Sequence, residues 1–226
     1  MSTIIRNVEK NGTFLHMPLI AAIDGVTTAT LMDVSSVLTL PYRSILFREG
    51  DVAEHLFCVL NGYIRLYRLS KDGREADVRI CGPGDTFNEC LIFGADHYHY
   101  NAQAAESCTL ARFELSHLRT MIEKEPQVAK AILKSLSRSL LSTMDSMAND
   151  RLQTAPQRVA NYLIAQCPGG ATSYSLRLPF QKSVLAGKLG LAPEALSRAF
   201  SSLRDAGVIV RGRIVQIKDI VALKRI

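Results

Sequence analysis

The chain has 226 residues, 47% hydrophobic and 21% charged, with a formal net charge of +6. This balance suits a globular chain with a substantial core and excludes a wholly disordered one. No apolar run reaches the roughly 18 residues of a membrane-spanning helix. The opening MSTIIRNVEKNG also lacks a signal-peptide layout, so a cytoplasmic protein with no membrane partner is expected.

In chain order, a short helix is expected near Val26–Val37, closed by Pro41 and Tyr42. The texture then changes to short runs rich in β-branched and aromatic residues: Ser44–Arg48, Leu56–Leu60, Tyr63–Leu69, Ala76–Ile80 and Cys108–Phe113. Between them stand turn signals, Glu49-Gly50-Asp51, Asn61-Gly62, Lys71-Asp72-Gly73 and Gly82-Pro83-Gly84-Asp85. Asn-Gly and Asp-Gly tolerate positive φ and join strands into hairpins, so residues 1–123 are predicted to form an antiparallel β-roll. Ser116 can cap a short helix to about Glu123, and Pro126 can open a longer one. Along the latter, Ala129, Leu133, Leu136, Leu140, Met144 and Met147 follow spacings of 3 and 4, which predicts an amphipathic helix of about 23 residues within 124–150. Its seam either lies on the roll of its own chain or pairs with a second copy. Self-pairing is the preferred expectation, with Leu133, Leu136, Leu140, Met144 and Met147 at a dimer interface.

Residues 151–226 carry 12 Lys/Arg against 3 Asp/Glu, net +9, whereas residues 1–150 carry 15 against 18, net −3. The asymmetry predicts a C-terminal domain that faces a polyanion. A helix is expected over Ala155–Gln166, then a strand at Tyr174–Leu178, two helices, and a β-ribbon of Val208–Val210 with Ile214–Ile217 around Arg211-Gly212-Arg213. Asp219 can cap a last helical turn. Of the two central helices, the first, near Gln181–Leu189, stops at Gly190, and Pro193 starts the second. On the second, Leu196, Ala199, Phe200 and Leu203 form an apolar face, while Glu194, Ser197, Arg198 and Ser201 form a polar one.

Helix, three-residue turn and helix with short polar side chains at the start of the second is the layout of a helix-turn-helix. Arg can fork to guanine O6 and N7, Glu can accept from a cytosine amino group, and Ser can serve a base or a phosphate. Glu194, Ser197 and Arg198 are therefore the expected base contacts. Lys182, Ser183, Ser201, Arg211 and Arg213 are the expected contacts to the backbone of double-stranded DNA, with the Arg211–Arg213 hairpin as a wing.

Four stretches carry a resemblance: Phe47-Arg48-Glu49-Gly50-Asp51, Leu60-Asn61-Gly62-Tyr63-Ile64-Arg65-Leu66, Gly82-Pro83-Gly84-Asp85-Thr86-Phe87-Asn88-Glu89, and Leu189-Gly190-Leu191-Ala192-Pro193-Glu194-Ala195-Leu196-Ser197-Arg198. From about Leu31 onward the chain resembles the Crp–Fnr superfamily of bacterial transcription regulators. The resemblance implies an α+β chain: a cyclic-nucleotide-binding-like β-roll sensor, a long dimerisation helix and a C-terminal winged helix-turn-helix. It also implies a homodimer that meets RNA polymerase. The Glu-x-x-Ser-Arg pattern of Glu194, Ser197 and Arg198 resembles the Fnr-like branch, whose targets are TTGAT-type inverted repeats.

The same resemblance shapes what the sensor is expected to bind. Where the cyclic-AMP branch has Gly-Glu and Arg-Ser, this chain has Asn88-Glu89 and His99-Tyr100, so Glu89, His99 and Tyr100 mark the effector pocket without the guanidinium that holds a cyclic phosphate. Residues 1–57 contain no cysteine, which removes the iron–sulfur cluster of the oxygen-sensing branch. The run Phe87-Asn88-Glu89-Cys90-Leu91-Ile92-Phe93 looks most like the nitric-oxide-responsive, denitrification-type subgroup, some members of which are thought to use haem. A haem would need an axial ligand from among His16, His55, His97, His99 and His117, none of them in a defining motif. The five cysteines, Cys58, Cys81, Cys90, Cys108 and Cys167, form no C-x-x-C pair and are expected as free, mostly buried thiols. A second reading takes His97-x-His99 in a β-roll as part of a metal-dependent, cupin-like enzyme with a nucleic-acid-binding tail, although the nearest following acid, Glu106, lies beyond the cupin spacing.

Overall fold

The computed structural model describes residues 3–5, 28–29, 31–32, 35–178 and 181–226, and it divides into two compact units, Met1–Ser142 and Thr143–Ile226. The division falls inside a helix.

In the first unit, described strands β1 (Thr3–Ile5), β2 (Ser35–Leu40), β3 (Ile45–Phe47), β4 (His55–Asn61), β5 (Ile64–Leu69), β6 (Glu75–Cys81), β7 (Thr86–Phe87), β8 (Asn101–Ala104) and β9 (Cys108–Glu114) form two antiparallel sheets. One has the order β1-β2-β9-β4-β7 and the other β3-β8-β5-β6. The Asn61-Gly62 step joins β4 to β5. Gly62 has φ +76°, and a Cβ there would lie 2.4 Å from the carbonyl oxygen of Ser107, so both conformation and space require glycine. Leu56 to Leu60 are all buried, because a 3-10 turn (Glu89–Ile92) packs against β4 while helix α1 (Leu115–Lys124) covers β9 and that turn.

Three expectations need correction here. The helix placed at Val26–Val37 survives as helical residues at 28–29 and 31–32, with 26–27, 30 and 33–34 outside the described residues. Ser35–Val37 belongs to β2, where Ser35 pairs with Phe113 and Val37 with Ala111; tertiary pairing overrides the helical spacing. Helix α1 starts at Leu115 with Glu114 in the N-cap position, ahead of the Ser116 cap. Strand β9 runs directly into it, and buried Leu115 donates its N–H to the Glu54 carbonyl at 2.9 Å. Helix α2 (Pro126–Leu152) is 27 residues long, extending past the predicted end. Strands β7 and β8, both short, join the roll without having been expected.

The second unit holds α3 (Ala155–Ala165), β10 (Tyr174–Arg177), α4 (Lys182–Lys188), α5 (Pro193–Ser202), β11 (Val208–Arg211), β12 (Ile214–Ile217) and α6 (Ile220–Leu223). Its sheet has the order β10-β12-β11, with Arg211 opposite Ile214 across a tight turn. Val159, Leu163, Leu185, Leu203, Val215 and Ile217 form its dry centre. Asp219 caps α6, accepting the Ala222 N–H at 2.9 Å, as expected.

Candidate nucleic-acid interface and sensor site

Helix α4 ends on Leu189 and passes through Gly190 at φ +62°, with the Leu191 N–H returning to the Ala186 carbonyl at 2.9 Å and the Gly190 N–H to Gly187 at 3.2 Å. These bonds are those of a Schellman ending, which leaves Pro193 free to open α5. The corner carries a second support absent from the sequence reading. Arg158, on α3, donates from Nη1 to the carbonyls of Leu189 at 3.0 Å and Gly190 at 3.4 Å. A guanidinium on carbonyls left over at a helix end both satisfies them and complements the helix dipole. No local pattern marks Arg158, because its partners lie 31 and 32 residues away.

Leu196, Ala199 and Phe200 of α5 and Leu203 at its C-cap are buried, which turns Glu194, Ser197, Arg198 and Ser201 to the exposed face. Lys182 and Ser183, at the start of α4, are exposed beside them. Lys182, Ser183, Ser197, Ser201, Arg204 and Arg211 share the wall of a groove of about 470 Å³. Its floor includes Phe200, with the Lys182 ammonium 5.9 Å from the ring centroid. Arg211 is exposed at the hairpin, whereas Arg213 is half-buried and donates from Nε to the Leu178 carbonyl at 3.0 Å. Part of the Arg213 guanidinium is thus committed to the unit's own backbone. The exposed Ser201 hydroxyl donates to the Ser197 carbonyl at 3.1 Å within the helix.

In the roll, the expected effector residues separate. Glu89 is buried, and its Oε1 accepts from the Thr86 hydroxyl and, at 3.1 Å, from Ser135 of α2. The Tyr100 hydroxyl donates to Asn88 Oδ1 at 2.7 Å, and burial pushes its ionisation far above the ordinary range, so it stays a donor. His99 is exposed and joins neither. Phe47, Phe57, Phe87 and Tyr98 fill the space beside them, with ring centroids at 5.8 Å for Phe47–Phe57, 5.3 Å for Phe57–Phe87 and 3.7 Å for Phe47–Tyr98. A cyclic phosphate needs a guanidinium where exposed His99 and engaged Tyr100 now stand, so the residues present do not fit one.

His97 is also exposed, and among the described residues no group of three His, Cys, Asp or Glu is placed to hold a metal ion. His55 is half-buried, its ring 5.9 Å from that of Phe57, and His117 is exposed beside Glu114; His16 lies outside the described residues. Cys58, Cys81 and Cys108 are buried, and burial pushes the Cys81 and Cys108 thiols up to about 12 and Cys58 higher still. Cys90 is exposed and Cys167 half-buried, which corrects the expectation of general burial for those two.

The first half of α2 lies on the roll through buried Val128, Ala131, Ile132 and Ser135. Leu133, Leu140, Met144 and Met147 are between 53% and 62% exposed and continue as a stripe. Leu136 differs from them, being half-buried against the core of its own roll. No described helix is long and apolar enough to cross a membrane.

Comparison with known proteins agrees with this geometry. Residues 37–125 match the family model of the cyclic nucleotide-binding domain, and residues 157–226 match that of the Crp-like helix-turn-helix domain. The chain is 27% identical over 190 residues to a CRP-like cAMP-activated global transcriptional regulator of Mycobacterium tuberculosis, covering 82% of this chain and 85% of that one. It is 30% identical over 168 residues to the nitrogen fixation regulation protein FixK of Bradyrhizobium diazoefficiens, covering 72% and 69%. It also resembles the crystal structure of DNR from Pseudomonas aeruginosa, at 27% identity and TM-score 0.53, over 96% of this chain and 97% of the other.

Proposed function

Because the chain belongs to the Crp–Fnr family of DNA-binding transcription regulators, which work as dimers, we propose that two copies read a TTGAT-type inverted repeat through Glu194, Ser197 and Arg198. It is a regulator and not an enzyme. The observation that carries the specific reading is the exposed polar face of α5: carboxylate, hydroxyl and guanidinium within its first two turns, on a unit with net +9 over residues 151–226. In a helix-turn-helix those turns reach base edges, and Arg198 suits the guanine of the half-site while Glu194 suits a cytosine amino group on the other strand. Lys182, Ser183 and Arg211 touch phosphates, and Ser201 joins them by turning its hydroxyl proton from the Ser197 carbonyl to the DNA backbone. Arg213, half-buried with its Nε on the Leu178 carbonyl, joins them at the wing. The exposed stripe of α2 is the surface through which the copies pair, and the protein works in the cytoplasm beside RNA polymerase. Its roll senses a signal other than a cyclic nucleotide, and a change in the packing of the two α2 helices alters how the recognition helices meet successive grooves.

The reading is tested by titrating the purified protein against a duplex with two TTGAT half-sites and a scrambled duplex of equal composition at the same salt. Specific regulators prefer their site by at least about 10³-fold, and that preference is expected here; equal affinities contradict it. Millimolar cyclic AMP is expected to leave the Tm unchanged, since a ligand without affinity for the folded state shifts nothing. A clear rise would show that another group replaces the missing guanidinium.

A further inference from the structure

We propose that Arg204, just beyond the end of α5, is a further DNA-binding residue: its guanidinium takes a backbone phosphate of the strand that runs along the groove between α5 and β11. The inference rests on reading α5 as a recognition helix, and it adds a cation that the sequence pattern does not mark.

Helix α5 stops at Ser202, with Leu203 buried at its C-cap. The backbone beyond it is still tied down. The Arg204 N–H returns to the Ser201 carbonyl at 3.3 Å, and the Arg204 carbonyl accepts the Gly207 N–H at 2.9 Å. The Val208 N–H closes the turn on the Leu203 carbonyl at 3.1 Å. The main chain under Arg204 is therefore set before any partner arrives, while its side chain is exposed. Positions 197, 201 and 204 follow spacings of 4 and 3, so Arg204 continues the face of Ser197 and Ser201. All three lie on the wall of the groove of about 470 Å³, which Lys182 of α4 and Arg211 of β11 also line.

The chemistry of this groove is one-sided. Among the described residues, Lys182, Arg204 and Arg211 line it and no carboxylate does; Asp205, the next residue along, is not on the wall. Phe200 and Ile209 form part of an apolar floor. Cations above an apolar floor suit a DNA backbone, which offers phosphates and, between them, the faces of its sugars. A purely structural arginine would be engaged within the protein, as Arg158 and Arg213 are with backbone carbonyls. Among the described residues nothing takes the Arg204 side chain in that way. Distance along the helix decides between base and phosphate. Arg204 follows Glu194 by ten residues, about 15 Å at 1.5 Å per residue. The major groove is about 12 Å wide. With Glu194 and Arg198 on base edges, Arg204 has passed the bases and stands at the wall of the groove, where the phosphates are. The planar fork of a guanidinium matches phosphate oxygens.

The test titrates the full-length wild type, Arg204→Gln and Arg204→Lys against the TTGAT duplex and the scrambled duplex at several salt concentrations. Arg204→Gln is expected to weaken binding to both duplexes alike, roughly tenfold per lost contact at 0.1 M salt, and to lower the salt slope by about one unit per bound chain. Arg204→Lys is expected to keep the slope, because the charge remains. Replacing single phosphates of the TTGAT duplex by neutral methylphosphonates locates the contact. One position per half-site is expected to weaken the wild type and to leave Arg204→Gln unaffected, a coupling that a merely structural arginine does not produce. Affinity and slope unchanged in Arg204→Gln, a loss confined to the TTGAT duplex, or no methylphosphonate that separates the two proteins overturns the proposal. If the wild type prefers the TTGAT duplex while these tests fail, only the Arg204 assignment is lost. If the wild type shows no preference but the slope and the coupling hold, the base reading falls and the phosphate contact stands.

Discussion

Arg198 and Lys182 are both exposed cations on the basic unit, yet their surroundings give them different work. Arg198 stands in the first two turns of α5 with Glu194 and Ser197, where a forked donor meets a base edge. Arg198→Ala is expected to cost about 1–3 kcal/mol per half-site and to relax preference at the contacted guanine. Lys182 sits at the start of α4 on the rim of the groove, where an ammonium meets phosphate. Lys182→Ala is expected to weaken binding to all duplexes alike and to lower the salt slope by about one unit. Titrations on matched and guanine-substituted duplexes at several salt concentrations check both; equal losses on the two duplexes for Arg198→Ala would make it a phosphate contact. Asn88 shows how a residue-scale departure from the family pattern is accommodated. It takes the place of the glycine in the Gly-Glu pair, and its backbone has φ +74°, a left-handed conformation that Asn tolerates better than most residues. Its side chain then engages Tyr100. His55 carries a pH dependence. Desolvation, with Arg112 nearby, lowers its pKa below the ordinary 6.5, so the unfolded chain binds a proton that the folded one resists. Stability therefore rises with pH across the interval below about 6.5 and falls as the pH drops through it. Urea midpoints between pH 7.5 and 5.0 are expected to decline less steeply in His55→Gln than in the wild type; parallel declines would remove His55 from the account.

Helices α2, α4 and α5 are legible in the sequence because their signals are local: apolar residues at spacings of 3 and 4, Pro126 and Pro193 at the openings, Gly190 at the corner. Strands β2 and β8 are not, for the opposite reason. Asn101-Ala102-Gln103-Ala104 has little strand propensity and is a strand because β3 and β5 pair with it on either side. The same holds for side chains that meet across long separations, such as Arg79 with Ser139, 60 residues apart, and Arg158 with Leu189. Base-reading candidates lie on one helix and could be named from their spacing, whereas the groove between α5 and β11 exists only once that unit is folded. At this scale the exposed stripe of α2 makes a firm prediction. Leu140→Glu is expected to give a folded monomer, because Leu140 is 62% exposed and touches no core. Leu136→Glu is expected to lower the stability of the protomer as well, since Leu136 packs on the roll. Sedimentation and thermal melts of the two variants separate these effects, and a dimeric Leu140→Glu would move the interface elsewhere.

For the whole molecule, charge, fold and symmetry point to one requirement. A dimer that reads an inverted repeat must set its two α5 helices into successive major grooves about 34 Å apart, so half-site spacing is as important as half-site sequence. The direct measurement is affinity and stoichiometry on duplexes whose two TTGAT half-sites are centred one turn of the roughly 10–10.5 base-pair helix apart, or about 5 base pairs farther. Two chains bound per one-turn repeat, with affinity falling to that of a single half-site when one half-site is rotated to the far side of the duplex, is the predicted result. Equal affinity for both spacings, or one chain bound per repeat, would contradict a paired reading of the operator.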